Sequence, residues 1–341
     1  MKFFFGKWIW IFVFVAGCGG ASTGGTETGN PSDTVGLAMG NSVDAVSSVL
    51  SADTNALTSL ILETDQEQIT SDFAALRACD VDDGLSVSIA CSEANHTASI
   101  VRDFGSGCEA SSSVTVTGAF HNSWFNMGSS ACLSSSGRPR IFKAVQGSGA
   151  KQIISTGTIS SDVCDTPTTS ATRTFSSGGS LQIKGCKLLE YSDYQTSSGT
   201  ESVTESVTIS HESRIRVRAN GSTLYNHTIS TSAPLLFQIS KRSGRAAPLR
   251  TLSAGTVQVS HNLAGYTVTS SFSDLQYDYN TCRCHPISGR VNVTVTDNQT
   301  AQVLGTGSVV FTQTTTGTCD SVEATYQGTS VDLNLGSCRG F

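Results

Sequence analysis

The sequence predicts a mainly β protein: a large antiparallel sheet, either a sandwich or an open barrel-like meander with long strands, with short N-terminal helices packed on it and several disulfides. Beyond Gly84, apolar residues alternate with Ser, Thr and Asn at a period of two, and no helical period interrupts them. About a dozen such segments follow one another without intervening helices, which argues against an alternating α/β architecture. Charged residues make up 14% and aromatics 7%, against abundant Ser, Thr and Gly, a composition that suits β-rich domains.

The elements follow from the N-terminus. Lys2 and Lys7 precede an apolar run from Trp8 to Ala16, and then Gly17-Cys18. That order is a secretory signal, expected over residues 1–17. The run is about half of the ~20 residues a spanning helix requires. The segment Val15-Ala16-Gly17-Cys18 resembles the lipobox of bacterial lipoproteins. The resemblance implies cleavage by signal peptidase II and a diacylglyceryl thioether on Cys18. Two or more acyl chains then make a stable anchor where one would be marginal. Gly19 follows in place of the Asp that often retains such proteins at the inner membrane, so the expected address is the bacterial cell envelope, at the outer membrane. The competing reading is an ordinary secretory signal with a fortuitous cysteine.

Residues 18–34 hold no apolar period and read as a lipidated flexible tether. About fifteen residues of Gly/Ser/Thr-rich chain would hold the folded part on the order of 20 Å from the bilayer. Helical spacing is confined to 35–83: Val43, Val46 and Leu50, then Leu57, Leu60 and Ile61, then Ile69, Phe73 and Leu76. Thr64-Asp65-Gln66-Glu67 fits a capping box. Two or three short helices, with an apolar stripe against the sheet, are expected there.

The strands begin after Gly84 and fill 84–281. Leu85, Val87 and Ile89, then Val114 and Val116, alternate with polar residues. From Val203 to Val217 the odd positions carry most of the apolar residues and the even side is polar or charged, so the odd side is expected inward. At ~3.3 Å per residue this is on the order of 50 Å, so either a bend near His211 to Ser213 divides it or the sheet is unusually tall. In the segment from Val257 to Tyr279 the apolar side passes from Val257, Val259, His261 and Leu263 to Tyr266, Val268 and Phe272. The shift at Gly265 suggests a bulge or bend. Residues 282–341, with Val291, Val293 and Val295 and then Val331, Leu333 and Leu335, read as a C-terminal disulfide-bonded β lobe.

Of 11 cysteines, Cys18 taken as the lipid carrier leaves an even set: Cys79, Cys91, Cys108, Cys132, Cys164, Cys186, Cys282, Cys284, Cys319 and Cys338. In an oxidising compartment these read as disulfides. Local pairing is the simplest arrangement: Cys79 with Cys91, Cys108 with Cys132, Cys164 with Cys186. Cys282 and Cys284 project to one side of a strand and would reach different neighbours, with Cys319 and Cys338 at hand. A metal site with His285 is the alternative to that pairing.

No motif in the chain specifies chemistry. It has no nucleophile elbow, phosphate loop or dinucleotide fingerprint. His211-Glu212 begins like a zinc-protease motif, but Ile215 stands where the second His belongs. Asp80-Val81-Asp82-Asp83-Gly84 is a residue short of a calcium loop and lacks its distant Glu, so it reads as a solvated turn. His261 lies on the apolar side of its strand, as a hydrogen-bonded core histidine or a catalytic one. No catalytic residue, cofactor or metal is assigned.

The signal takes Lys2 and Lys7 with it, so the mature net charge falls from −6 to −8, which argues against nucleic acid as a partner. Arg214, Arg216 and Arg218 alternate with Ile215 and Val217, so three guanidiniums on one face suit an anionic envelope component or an acidic patch of another envelope protein. Lys241, Arg242, Arg245 and Arg250 form a second basic run in a predicted loop. The competing reading is a solvated face paired with Glu201, Glu205 and Glu212.

With Asn226-His227-Thr228, His261-Asn262-Leu263 and its Cys-x-Cys lobe, the mature part resembles cysteine-bearing β-rich envelope lipoproteins, a resemblance that implies no catalytic residue. The expected function is a non-enzymatic binding or scaffold domain, lipid-anchored in the envelope, with the membrane as partner through Cys18. The rivals are a carrier of lipid or another apolar ligand, whose sheet is a groove closed by the N-terminal helices, and a hydrolase whose site is invisible in sequence.

Overall fold

The computed structural model describes residues 34–47, most of 86–126, 132–134, 139–141, 150–156, most of 164–197, 200–240, 249–278, 286–312 and 322–333. It is mainly β, as the alternation predicts. A single described helix, α1 (34–47), precedes the strands. The first strands are short: β1 (Ser86–Ser92), β2 (Thr97–Asp103), β3 (Cys108–Ser111), β4 (Val114–Thr117), β5 (Ala119–Phe125), β6 (Cys132–Ser134), β7 (Pro139–Ile141), β8 (Ala150–Thr156) and β9 (Ala171–Phe175). Tall strands follow: β10 (Ser180–Ser197), β11 (Thr200–Val217), β12 (Thr223–Ser240), β13 (Leu249–His261) and β14 (Tyr266–Asp278). Then come β15 (Ser288–Asp297), β16 (Val303–Phe311), β17 (Val322–Tyr326) and β18 (Thr329–Ser330).

Sixteen of these strands form one open antiparallel sheet, and from β10 to β18 its order is the order of the sequence. Only β6 and β7 stand apart as a pair. The sheet and its core continue past residue 282, since β14 pairs with β15 and Val291, Val309 and Tyr326 share one apolar cluster with Val268 and Phe272. The strands after 282 therefore extend the main sheet and do not form a lobe of their own.

The strands can be tall because they are bent where their pairing slips. Register shifts fall between Cys186 and Lys187 in β10, between Val207 and Glu212 in β11, from Thr231 to Phe237 in β12, and between Ser273 and Gln276 in β14. Pairing of β13 with β14 is likewise interrupted between Leu252 and Thr256. These positions adjoin one another across five strands, forming a belt of bulges that bends the sheet. Gly255 (φ +146°) sits in the belt, where a Cβ would lie 2.7 Å from the Leu235 Cα, so only glycine lets β12 and β13 approach so closely.

One extra residue flips a period-two pattern, so the inward side inverts across the belt in β11, β13 and β14, whereas β10 and β12 keep theirs. In β11, Val207 and Ile209 are buried below the bulge and Glu212 and Arg214 above it. The odd-side expectation for Val203 to Val217 therefore holds only to Ile209. Gly265 (φ +72°) is no bulge: it closes the tight turn 262–265 between β13 and β14, and leaves Leu263 exposed at the tip.

Helix α1 lies against the inward face, and its contacts move along the sheet as the helix advances. Thr34 meets Tyr266 in β14, Asn41 meets His227 in β12, Asp44 meets Arg214 in β11, and the Ala45 carbonyl meets Lys187 in β10. On its other side runs 331–333, a segment expected as strand that instead leaves the sheet after β18. A Cβ at Gly36 or Gly40 would collide with the Asp332 and Leu333 carbonyl oxygens, so the Gly-x-x-x-Gly spacing admits this backbone. The helix is thus covered on nearly every side, where the sequence suggested a single apolar stripe: Val35, Ala38, Met39, Val43, Ala45 and Val46 are all at most 2% exposed. Two internal glycines make it a poor helix alone, so packing holds it. The segments with Leu50 to Leu76, and the capping box at Thr64, lie outside the described residues. No described helix is long and apolar enough to cross a membrane.

Candidate functional site

Where α1 crosses β10 to β14, the inward face changes from apolar to polar. Glu212 is buried and holds two cations: Lys187 Nζ lies 2.6 Å from its Oε2 and Arg214 Nε 2.5 Å from its Oε1. The bulge of β11 creates this group. Lys187 lies on the inward side of β10 with Ile183 and Leu189, and the slip in β11, where the extra residue stands opposite Cys186 and Lys187, turns Glu212 and Arg214 in beside it. Helix α1 completes the shell: Arg214 donates to Asn41 Oδ1 (3.1 Å), Lys187 donates to the Ala45 carbonyl (3.5 Å), and the Asp44 carboxylate stands 4.0 Å from Arg214. Two cations thus face two carboxylates, the balance a buried charge cluster requires to persist.

Burial alone would push the Glu212 carboxyl up, but Arg214 and Lys187 outweigh it and hold it at about 2. Burial would likewise lower Arg214, and Glu212 with Asp44 reverses that, so its pKa is raised. For Lys187 burial prevails over the attraction of Glu212, and its pKa is lowered.

Beside the charges stand four rings in sequence. Tyr225 stacks on His227 (centroids 4.5 Å), His227 meets His261 edge to face (4.6 Å), and His261 leans on Tyr266 (5.2 Å). Asn41 fixes the first histidine. Its Oδ1 accepts from Arg214, so its Nδ2 is the donor to His227 Nδ1 at 2.9 Å. His261 Nδ1 accepts the Ala264 backbone N–H at 3.2 Å. Both imidazoles therefore carry their proton on Nε2. Neither Nε2 has a hydrogen-bond partner, and both are buried. Burial, helped by His261 and Arg214, lowers His227 to about 3, and burial lowers His261 too. Both are neutral at physiological pH.

Such a site is poorly placed for chemistry. Lone pairs on Nδ1 are engaged and each Nε2 is a donor, so neither histidine offers a base or a metal ligand without breaking a bond to Asn41 or Ala264. Among the described residues, no cluster of three or more His, Cys, Asp or Glu side chains could hold a metal. His261 sits in the core as a hydrogen-bonded histidine. His227 is the residue that sequence reasoning missed, although it alternates with Tyr225 and Ile229 on a buried side just as His261 does with Val259.

Arg214, Arg216 and Arg218 do share one side of β11 and its turn, but they meet different surroundings. Arg214 is buried and paired, Arg216 stacks 3.9 Å over the Phe175 ring, and exposed Arg218 donates to Ser222 Oγ at 3.2 Å. An open row of three guanidiniums is not formed. Arg250, expected in a basic loop, lies in β13 and is fully buried, as is Glu205 in β11. Lys241, Arg242 and Arg245 lie outside the described residues.

Cys164 and Cys186 form a disulfide, the local pairing expected from the sequence. It ties the stretch before β9 to the bulge of β10, where the partner of β10 changes from β8 to β9. Cys108 is buried and also disulfide-bonded. Cys18, Cys79, Cys282, Cys284, His285, Cys319 and Cys338 lie outside the described residues, as do the side chains of Cys91 and Cys132 and the segment Asp80 to Gly84. The outer face is hydroxyl-rich, with a shallow open depression over Gly307 lined by Asn292, Thr294, Thr306, Ser308 and Thr325. No protein-family model, curated protein or solved structure matches the chain.

Proposed function

We propose that the protein is a lipid-anchored component of the bacterial envelope, at the outer membrane, whose helix-filled sheet is a non-enzymatic binding or scaffold domain. One observation carries the second half of this reading. The polar groups that could have done chemistry on the inward face, Lys187, Glu212, Arg214 and His227, are satisfied or sealed by the chain's own helix. The lipobox-like Val15-Ala16-Gly17-Cys18 supports the first half, and α1 begins 16 residues after Cys18. A lipid there would be linked through a short tether to the best-packed element of the fold. The test is metabolic labelling of the full chain with a fatty acid in a bacterial host. Label is expected on the parent and not on Cys18→Ser, which is also expected to leave the membrane fraction. Equal labelling or equal membrane retention of the two would refute the anchor.

A second reading is favoured by the same packing. An apolar cluster on the inward face reaches from β10 to β17 below the polar group and packs against the N-terminal helix, as that of an acyl-chain carrier would when empty. Native mass spectrometry of the anchorless mature protein separates the two: co-purifying lipid supports a carrier, and bare protein supports the filled scaffold.

A further inference from the structure

Four large hydrophobic side chains are exposed among the described residues, and three of them stand at one end of the sheet: Leu263 (51%), Val303 (62%) and Leu304 (45%). Leu263 tips the turn 262–265, and Val303 and Leu304 open β16 just after the turn 298–302. The two turns are joined. The Asn298 N–H donates to the Gly265 carbonyl (2.9 Å), and the Thr267 hydroxyl donates to Asn298 Oδ1 (2.7 Å). Each is also braced internally: Asp297 Oδ1 accepts from the Gln299 and Thr300 amides and the Thr300 hydroxyl, and His261 O accepts from Gly265. The apolar tips are therefore presented on a stiff edge.

The same end is where the chain enters the fold. Thr34, at the start of α1, lies beside the hydroxyl of Tyr266, the first residue of β14 beyond the Leu263 turn. If residues 18–33 are the flexible tether their composition suggests, their root-mean-square reach would be about 20–25 Å, and an acyl anchor would then keep this pole, and not the opposite one, beside the bilayer. Its charge also suits a membrane. The turns 176–179, 218–222, 262–265, 298–302 and 327–328 hold one charged residue, the exposed Arg218, in a chain that carries 27 acidic residues. Asp297, beside the turn 298–302, keeps its negative charge and is held against its own turn by the Gln299 and Thr300 amides, with Arg218 as the countering cation at this end. Nothing in these turns would repel an anionic lipid surface.

We propose that this pole docks on the bilayer carrying the anchor, with Leu263, Val303 and Leu304 in the headgroup layer and Arg218 toward lipid phosphates. The proposal rests on the anchored reading above. It gives the sheet a fixed stance, its long axis rising from the membrane and its opposite loops presented away from it.

Tryptophan scanning tests it. Trp8 and Trp10 leave with the signal and Trp124 is buried, so an added tryptophan reports its own surroundings while Trp124 reports that the domain is folded. Leu263→Trp, Val303→Trp and Leu236→Trp are made in the full lipid-modified chain. Each is reconstituted into phosphatidylethanolamine and phosphatidylglycerol vesicles with brominated acyl chains. Leu236, the fourth exposed residue, lies 13 positions along β12 from Thr223 and so on the order of 40 Å from the pole. The two pole tryptophans are expected to lose about half their emission, as side chains within ~5–10 Å of the acyl boundary would, and Leu236→Trp to lose none. Unquenched or equally quenched tryptophans in protein that carries the acyl mass and floats with the vesicles would overturn the docking and leave the anchor standing. Protein without the acyl mass that fails to float would overturn both.

Discussion

Asn41 in the N-terminal helix places its side-chain nitrogen 2.9 Å from Nδ1 of His227, 186 residues further along the chain. Its carbonyl oxygen accepts from Arg214 at the same time, so one amide joins the helix to the histidine pair and to the charge cluster. Asn41→Ala would leave a buried acceptor and a buried donor unmet. At about 1–3 kcal/mol for each such group, a loss of about 2–6 kcal/mol is expected in urea denaturation of the anchorless mature protein. Asn41→Asp, which keeps the acceptor for Arg214 and loses the donor to His227, is expected to cost less.

Glu212 serves two cations, and its removal is expected to be worse than that of either. Glu212→Gln strands Lys187 and Arg214 in the interior beside one another. Breaking a buried pair this way costs about 3–5 kcal/mol. Arg218→Ala, on the same side of the strand but in water, is expected to change stability by less than about 0.5 kcal/mol. Chemical denaturation of the two variants separates a sealed cluster from a solvated arginine ladder, in which the costs would be alike.

That pair of variants bears on what the sequence could reveal. Strand identity was legible, because Val257-x-Val259 and Val291-x-Val293-x-Val295 keep a strict period of two. Inward and outward sides were not, wherever a bulge intervenes. Around Ser210 in β11 the chain reads Thr-Ile-Ser-His-Glu-Ser-Arg, and a slip within so polar a run moves no apolar residue out of phase. Glu212 and Arg214 consequently look solvent-facing in sequence although they lie inside. Helix α1 was legible in the spacing of Val43 and Val46, but its enclosure was not: Gly36, Gly40 and Asn41 are poor helix formers, chosen by the Asp332 and Leu333 backbone and by His227, partners almost 200 residues or more away. The link from Cys164 to Cys186 was legible because it is local, whereas nothing in the sequence brings Asn41 to His227.

The glycines of α1 yield a prediction with a local signature. Gly40→Ala places a methyl group against the Leu333 carbonyl, and backbone cannot yield as a side chain can. Overpacking of this kind costs about 1–3 kcal/mol. Because Val331 donates to the Ala324 carbonyl just before this crossing, faster amide hydrogen exchange is expected at Val331. Exchange at Val259 and Val293 is expected to rise only in proportion to global stability. By contrast Met39→Ala, which opens a hole under the helix, is expected to cost about 2–5 kcal/mol.

Acid sensitivity follows from the two kinds of buried group, with the sign fixed by linkage. His227 titrates near 6.5 unfolded and at about 3 folded, so below pH 6.5 the unfolded chain binds a proton that the native one refuses. Stability is therefore full above 6.5 and falls as the pH drops toward 3, by up to about 1.4 kcal/mol per pH unit for each such group. His261, lowered in the same direction, adds to this limb. Glu212 falls from 4.5 to about 2 on folding, so its contribution is present above 4.5 and is lost only as the pH drops toward 2. Melting temperatures of the anchorless protein should thus decline in two stages, first between about pH 6.5 and 5 from the histidines, then below about 4.5 as the carboxylate joins them. His227→Gln is expected to start from a lower plateau, because Asn41 loses its acceptor, and to show a shallower first stage with the second unchanged. A first stage identical to the parent's would mean that His227 is protonated in the native fold, and the neutral imidazole pair under α1 would be wrong.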